Sequence, residues 1–81
     1  MRIKVLYFAQ LREAAGRDGE TLEFPRPVTA AELSAGLLAR PEFFKYRDLA
    51  FRYAVNDEFV NPDRIIPEGA AVALIPPVAG G

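Results

Sequence analysis

The chain ends in Gly80-Gly81, and the carboxylate of Gly81 is the group whose setting best fits a specialised covalent chemistry. With glycine at about 7% of residues, a terminal Gly-Gly arises by chance in only about 0.5% of chains. Ala79, Gly80 and Gly81 carry almost no side-chain bulk, so the end of the chain could thread a narrow channel. Glycine also lets a partner's hydrogen-bond donors approach the terminal carboxylate closely. A carboxylate is a poor electrophile and a poor sulfur donor. Converted to an acyl adenylate, it gains a good leaving group, and attack by a sulfur nucleophile then yields a thiocarboxylate. With no cysteine in the chain, sulfur could be carried covalently only at Gly81 or on the thioether of Met1, a weak candidate.

The composition removes most competing chemistries. Cys and His are both absent, which excludes a disulfide, a persulfide, a cysteine- or histidine-ligated zinc site and an imidazole base. Carboxylates remain, but they are scattered through turns and helix ends without the spacing of an acid/base pair or a magnesium site. Ten basic residues against eleven acidic ones give a net charge of -1, so nucleic acid is not an expected partner. The start, MRIKVLYFAQLRE, is charged at positions 2, 4 and 12 and lacks a long apolar stretch, so it is not a signal peptide. The expectation is a cytoplasmic protein with no membrane association. At 81 residues the chain makes one domain, burying roughly 60 to 65% of its unfolded surface, with no deep active-site cleft.

The elements that position the terminus are readable from periodicity. Residues 3–9 form a strand with Ile3, Val5 and Tyr7 on one parity and Lys4 on the other. Residues 10–15 form one or two helical turns capped by Gly16, and Arg17-Asp18-Gly19 make a turn into a second strand at 20–24. Thr29 and Glu32 form a capping box, with Val28 placed to staple onto Leu33. The helix they start runs to about Arg40, burying Ala30, Leu33, Leu37 and Leu38 and ending before Pro41. Residues 49–55 and 58–60 form a hairpin around Asn56-Asp57, and residues 71–75 form a last strand ended by Pro76-Pro77. This order predicts an α+β domain over residues 1–77, a mixed sheet with one main helix packed across it. That is a β-grasp, ubiquitin-like fold, here followed by a flexible tail at 78–81.

Parity also identifies surface candidates. Leu6 and Phe8 share the parity of Lys4, and Ile75 lies opposite the core positions Val72 and Leu74. If that face is wet, these are exposed apolar side chains; if not, they are core, and periodicity leaves both open. Arg12 and Glu13 read as a solvated helix face or as polar contacts to a partner. Arg47, Arg52 and Arg64 could pair with acids of this chain or with an acidic partner surface.

Three stretches, FAQLREAAG at 8–16, AVN at 54–56 and ALIPPVAGG at 73–81, resemble the small, sulfur-carrying subunits of molybdopterin synthase, of the MoaD/ThiS-like kind. FAQLRE separates this resemblance from the shorter thiamine-pathway sulfur carriers. The resemblance implies that Gly81 is adenylated by an E1-like enzyme using ATP and Mg²⁺ and converted to a thiocarboxylate. It further implies that the tail, through Gly80 and Ala79, enters the large catalytic subunit, where sulfur passes to cyclic pyranopterin monophosphate. In that scheme the chain is not catalytic by itself, holds no stable cofactor or metal, and works in a heterotetramer of two small and two large subunits. Phe8, Phe59 and Ile75 would then form the docking patch for both partners. Other readings use the same terminus differently: a carrier for thiamine synthesis or tRNA thiolation, or a ubiquitin-like protein modifier. A plain binding domain with an inert tail is a third.

Overall fold

The computed structural model describes residues 1–77 of the chain; the expected tail, 78–81, lies outside the described residues. The elements are β1 (Arg2–Tyr7), α1 (Ala9–Ala15), β2 (Gly19–Glu23), α2 (Ala30–Leu38), a 3₁₀ turn (Phe44–Tyr46), β3 (Arg52–Val55), β4 (Glu58–Val60) and β5 (Ala71–Ile75). The five strands form one sheet in the order β2-β1-β5-β3-β4. β1 and β5 run parallel at its centre and every other pairing is antiparallel, giving the mixed sheet of a β-grasp fold.

Alternation sorts the sheet into two faces. Ile3, Val5, Tyr7, Val72 and Leu74 point inward and are buried, and they meet Ala30, Leu33, Leu37 and Leu38 of α2 in one core cluster. Those four helix positions are the ones the sequence period assigns. At about 1.5–3 kcal/mol per buried large aliphatic side chain, this face supplies most of the driving force for folding.

The start of α2 is fully capped. Thr29 Oγ1 accepts from the Glu32 N–H at 3.1 Å, and the Thr29 N–H donates to Glu32 Oε1 at 2.8 Å. The Ala30 and Ala31 N–H groups donate to the carbonyls of Arg64 and Pro62, so the loop before β5 closes the remaining donors. Gly16 ends α1 at φ 72°, as expected of a left-handed cap, and Asn56 and Asp57 both take positive φ in the β3–β4 turn. Asn56 also clamps β5, since its side-chain oxygen accepts from the Ala71 N–H at 3.0 Å and its own N–H donates to the Ala71 carbonyl.

Several boundaries differ from the periodic reading. β1 stops at Tyr7 because Phe8, although extended, already serves as the N-cap of α1. β2 starts one residue early, at Gly19, which pairs with Leu6. A Cβ at Gly19 would overlap the Val5 carbonyl oxygen, so close strand approach requires glycine there. α2 ends at Leu38 rather than Arg40, with Ala39 as its cap. Residues 49–51 are not strand, because the N–H groups of Leu49 and Phe51 turn back to the carbonyls of Tyr46 and Leu49. Phe43, just after α2, is fully buried with its ring 5.2 Å from that of Tyr7.

Behind Tyr7 a polar cluster ties three elements together. Glu20 Oε2 accepts hydrogen bonds from the Tyr7 hydroxyl, from Arg40 at 2.9 Å and from Arg17 at 3.0 Å. Burial disfavours the Glu20 charge, but the Tyr7 and Arg40 hydrogen bonds and the two guanidinium charges outweigh it and hold the carboxyl below its ordinary value. Burial, with the neighbouring carboxylate, pushes the Tyr7 hydroxyl upward.

A carboxyl whose folded pKa is depressed stabilises the fold above its unfolded pKa, and that contribution is lost as pH falls through the lower folded value. Glu20→Gln is therefore expected to lower the urea midpoint at pH 7. The gap between variant and parent should narrow steadily below about pH 4, where the parent's carboxyl also protonates; a constant gap would remove Glu20 as the source. Gly19→Ala is expected to destabilise by about 2 kcal/mol or more through the clash with Val5, read as a lowered midpoint at unchanged slope.

Candidate functional site

The face of the sheet turned away from α2 carries a second set of apolar side chains. The strand registers align Leu6, Ala73, Ala54 and Phe59 in one row across β1, β5, β3 and β4. Ala71 and Ile75 flank Ala73 on the same parity of β5, and Phe8 follows β1 at the end nearest Ile75. Together with Asn56 and Asp57 of the β3–β4 turn, these residues line one depression of about 340 Å³.

Side-chain size shapes it. Alanines at 54, 71 and 73 make a low floor, and Leu6, Phe8, Phe59 and Ile75 stand as its walls. Phe8 is 44% exposed and Phe59 59% exposed, so the walls present large apolar surface to solvent, while Leu6 and Ile75 are half-buried. This contiguous apolar surface makes the face a candidate interaction site.

Charge sits only at the margins. Lys4 pairs with Ala71 at the turn end, near Asp57. At the other end Arg52 pairs with Ile75, and its guanidinium lies 3.8 Å from the centre of the Phe59 ring.

The chain leaves the sheet at this same end. Ile75 closes β5, Pro76 is buried and Pro77 exposed. Proline supplies no N–H, so Pro76-Pro77 cannot extend the ladder, and the backbone must depart beside Ile75. The four residues that follow can span at most about 14 Å. Gly81, Gly80 and Ala79 themselves lie outside the described residues.

Of the residues singled out by sequence, Phe8, Phe59 and Ile75 are brought together. Arg52 lies at the margin of the depression, and Arg12, Glu13, Arg47 and Arg64 are exposed elsewhere on the surface. Arg12 pairs with Asp18 at 3.7 Å, both exposed, Arg47 stacks on Phe44, and Glu13 is exposed on α1. Among the described residues no group of three or more metal-ligating side chains occurs, and no helix is long and apolar enough to cross a membrane. A somewhat larger groove, about 410 Å³, runs along α2 between Ala31, Ala35 and Phe44, on the helical side of the sheet.

Sequence reading missed the alanine floor and the Arg52–Phe59 stack. The floor was available from the alternation of 52–55 and 71–75. The stack was not, because Arg52 and Phe59 meet only through the β3–β4 register.

The chain is similar to the molybdopterin synthase sulfur carrier subunit of Chlamydomonas reinhardtii, 36% identical with both chains fully covered. It is also similar to that of Escherichia coli strain K12, 37% identical over 98% of this chain and 99% of the relative. Among solved structures it superposes on a putative molybdopterin converting factor subunit 1 from Pyrococcus furiosus with TM-score 0.80 at 27% identity, covering 96% of this chain and 99% of that one. It also superposes on a protein-protein complex of subunits 1 and 2 of the molybdopterin-converting factor from Helicobacter pylori, with TM-score 0.70 at 22% identity and full coverage of both chains. The sequence profile of the ThiS family matches residues 5–81, nearly the whole chain, and with the β-grasp sheet and these full-length relatives it follows that the protein belongs to the ThiS family.

Proposed function

We propose that this protein is the sulfur-carrier subunit of a molybdopterin synthase, acting through a thiocarboxylate at Gly81. The observation that carries the reading is the position of the apolar depression at the base of the departing C-terminus. A protein that covers Phe8, Phe59 and Ile75 receives Gly81 within about 14 Å of Pro77, which is the delivery problem a carrier has to solve. The full-length relatives named molybdopterin synthase sulfur carrier subunit support the pathway.

In the proposed cycle an E1-like enzyme binds this face, and a Gly81 carboxylate oxygen attacks the α-phosphorus of Mg-ATP, releasing pyrophosphate. A sulfur nucleophile then attacks the acyl carbonyl and AMP leaves, so that one carboxylate oxygen has been exchanged for sulfur. The charged carrier moves to the large subunit, threads its slim end into that subunit's active site and gives up the sulfur to cyclic pyranopterin monophosphate. The side chains of this chain dock and orient. Adenylation and pterin chemistry belong to the partners, with two small and two large subunits forming the working heterotetramer in the cytoplasm.

Intact mass before and after incubation with an E1-like enzyme, Mg-ATP and a sulfide source tests the carrier step. Exchange of one oxygen for one sulfur, localised to Gly81, is expected, and deletion of Gly81 should abolish it. An unchanged mass, with the enzyme working on a control carrier, rejects the proposal. Covalent ladders on protein lysines would replace it with a modifier, and failure to bind the large subunit would reassign the pathway. Phe8→Asp and Ile75→Asp are each expected to weaken binding to the large subunit by about tenfold or more with the thermal transition retained. Unimpaired binding by both would move docking elsewhere.

A further inference from the structure

We propose that Arg52 is the specificity residue of the open face, pairing with a carboxylate side chain of the protein that covers the apolar depression and thereby fixing the direction in which that protein docks. This rests on the docking role proposed above for the same face.

Of the other seven arginines, five are engaged within the chain, while Arg26 and Arg64 make no ion pair among the described residues but do not line the depression. Arg2 pairs with Glu23 at 3.0 Å, Arg12 with Asp18 at 3.7 Å, and Arg17 and Arg40 both with Glu20. Arg47 donates to the Phe44 carbonyl at 2.8 Å. Arg52 has no carboxylate among the described residues within ion-pair distance, and its guanidinium instead lies 3.8 Å from the centre of an exposed aromatic ring that is itself a wall of the depression.

That placement is suited to recognition. The Phe59 ring shields one face of the guanidinium and holds it in place, reducing the side-chain entropy lost on binding, while the N–H donors around the edge of the plane stay accessible. A carboxylate approaching in that plane can accept two parallel hydrogen bonds, and exclusion of water by the covering protein strengthens them.

The position also carries directional information. The depression is apolar along its length, so burial alone would tolerate a partner docked either way round. At the turn end Lys4 and Asp57 carry opposite charges. At the end where the chain departs, Arg52, the cross-strand partner of Ile75, leaves a net positive charge. A partner with a carboxylate over Arg52 forms that pair in one orientation, whereas the reversed one leaves Arg52 unpaired and sets the carboxylate beside Asp57 as well as Lys4. The favoured orientation is the one that presents Gly81 to a single side of the partner.

The test measures affinity and association rate for the purified large subunit of molybdopterin synthase across a salt series, using the unaltered chain, Arg52→Met, Arg52→Lys and Phe59→Leu, with thermal unfolding of each. Arg52→Met is expected to bind about tenfold more weakly, with a shallower salt dependence of the association rate and an unchanged unfolding transition. Arg52→Lys should restore the salt dependence but only part of the affinity, because an ammonium neither stacks on Phe59 in the same way nor forks onto a carboxylate. Phe59→Leu, which keeps an apolar wall but removes the platform, should lower affinity while preserving the salt dependence. Binding by Arg52→Met and Arg52→Lys within about twofold of the unaltered chain, with an unchanged salt slope, overturns the assignment and leaves the docking face intact. Failure of the unaltered chain to bind overturns the docking reading, and this assignment with it.

Discussion

The parallel pairing of β1 with β5 is the constraint on which the site depends. Lys4 faces Ala71 and Tyr7 faces Leu74, so the first and last strands of the fold run side by side to the same end of the sheet. There β1 passes through Phe8 into α1, and β5 passes through Ile75 into Pro76-Pro77. Had the two strands been antiparallel, Phe8 and the departing chain would lie at opposite ends, and no surface patch could be continuous with the terminus. A parallel pair cannot be joined by a tight turn. Everything between the two strands, α2 included, makes the crossover and in doing so covers one face, leaving the other for a partner.

A single helix can shield only one side of a five-stranded sheet, and the composition of the two faces follows. Inward positions carry Ile, Val, Leu and Tyr; on the outward positions of β3 and β5 stand Ala54, Ala71 and Ala73. Small side chains limit the apolar area exposed before a partner arrives, while the bulky walls at Phe8, Phe59 and Ile75 keep the shape complementary to an inserted side chain. Beneath this surface, Tyr7 is held on the core side between Leu6 and Phe8. Its ring packs on Phe43 and its hydroxyl is tied to Glu20, which is joined in turn to Arg40 just beyond α2. The cluster braces β1 against both β2 and the end of the helix, and a braced strand presents its outward residues without the ordering cost that a mobile segment would incur on binding.

How much of this was legible in the sequence depended on the range of the interaction. Local signals read well: the Thr29–Glu32 capping box, the Gly16 cap, the Asn56-Asp57 turn and the alternation of β1 and β5 each depend on neighbours within a few residues. Parity put Phe8 and Ile75 on the non-core side of their strands without deciding whether that side is wet, and their grouping with Phe59 came from the family resemblance rather than from periodicity. What periodicity could not show was set by contacts distant in sequence. Phe43 is core because Tyr7 lies above it, and Gly19 is required by the Val5 carbonyl across the strand pair. The Glu20 cluster belongs with these, since its three donors come from positions 7, 17 and 40.

The composition and the geometry converge on the reactivity of the terminus. An acyl adenylate at Gly81 would be open to capture by any nearby nucleophile, and the chain contains no thiol and no imidazole to capture it. Its side-chain amines are Lys4 and Lys45. Lys4 lies beside Ala71, at the opposite end of the outward face from Pro77, separated from it by six residues of nearly extended chain, or about 20 Å. The four terminal residues reach at most about 14 Å, so only a fully stretched lysine side chain meeting a tail doubled back along the open face could close the gap. A partner seated on Phe8, Phe59 and Ile75 occupies that path. In the proposed cycle the docking contact therefore does more than supply affinity: while the carbonyl is activated, the same surface that holds the carrier also keeps the Lys4 amine away from the reacting carbon.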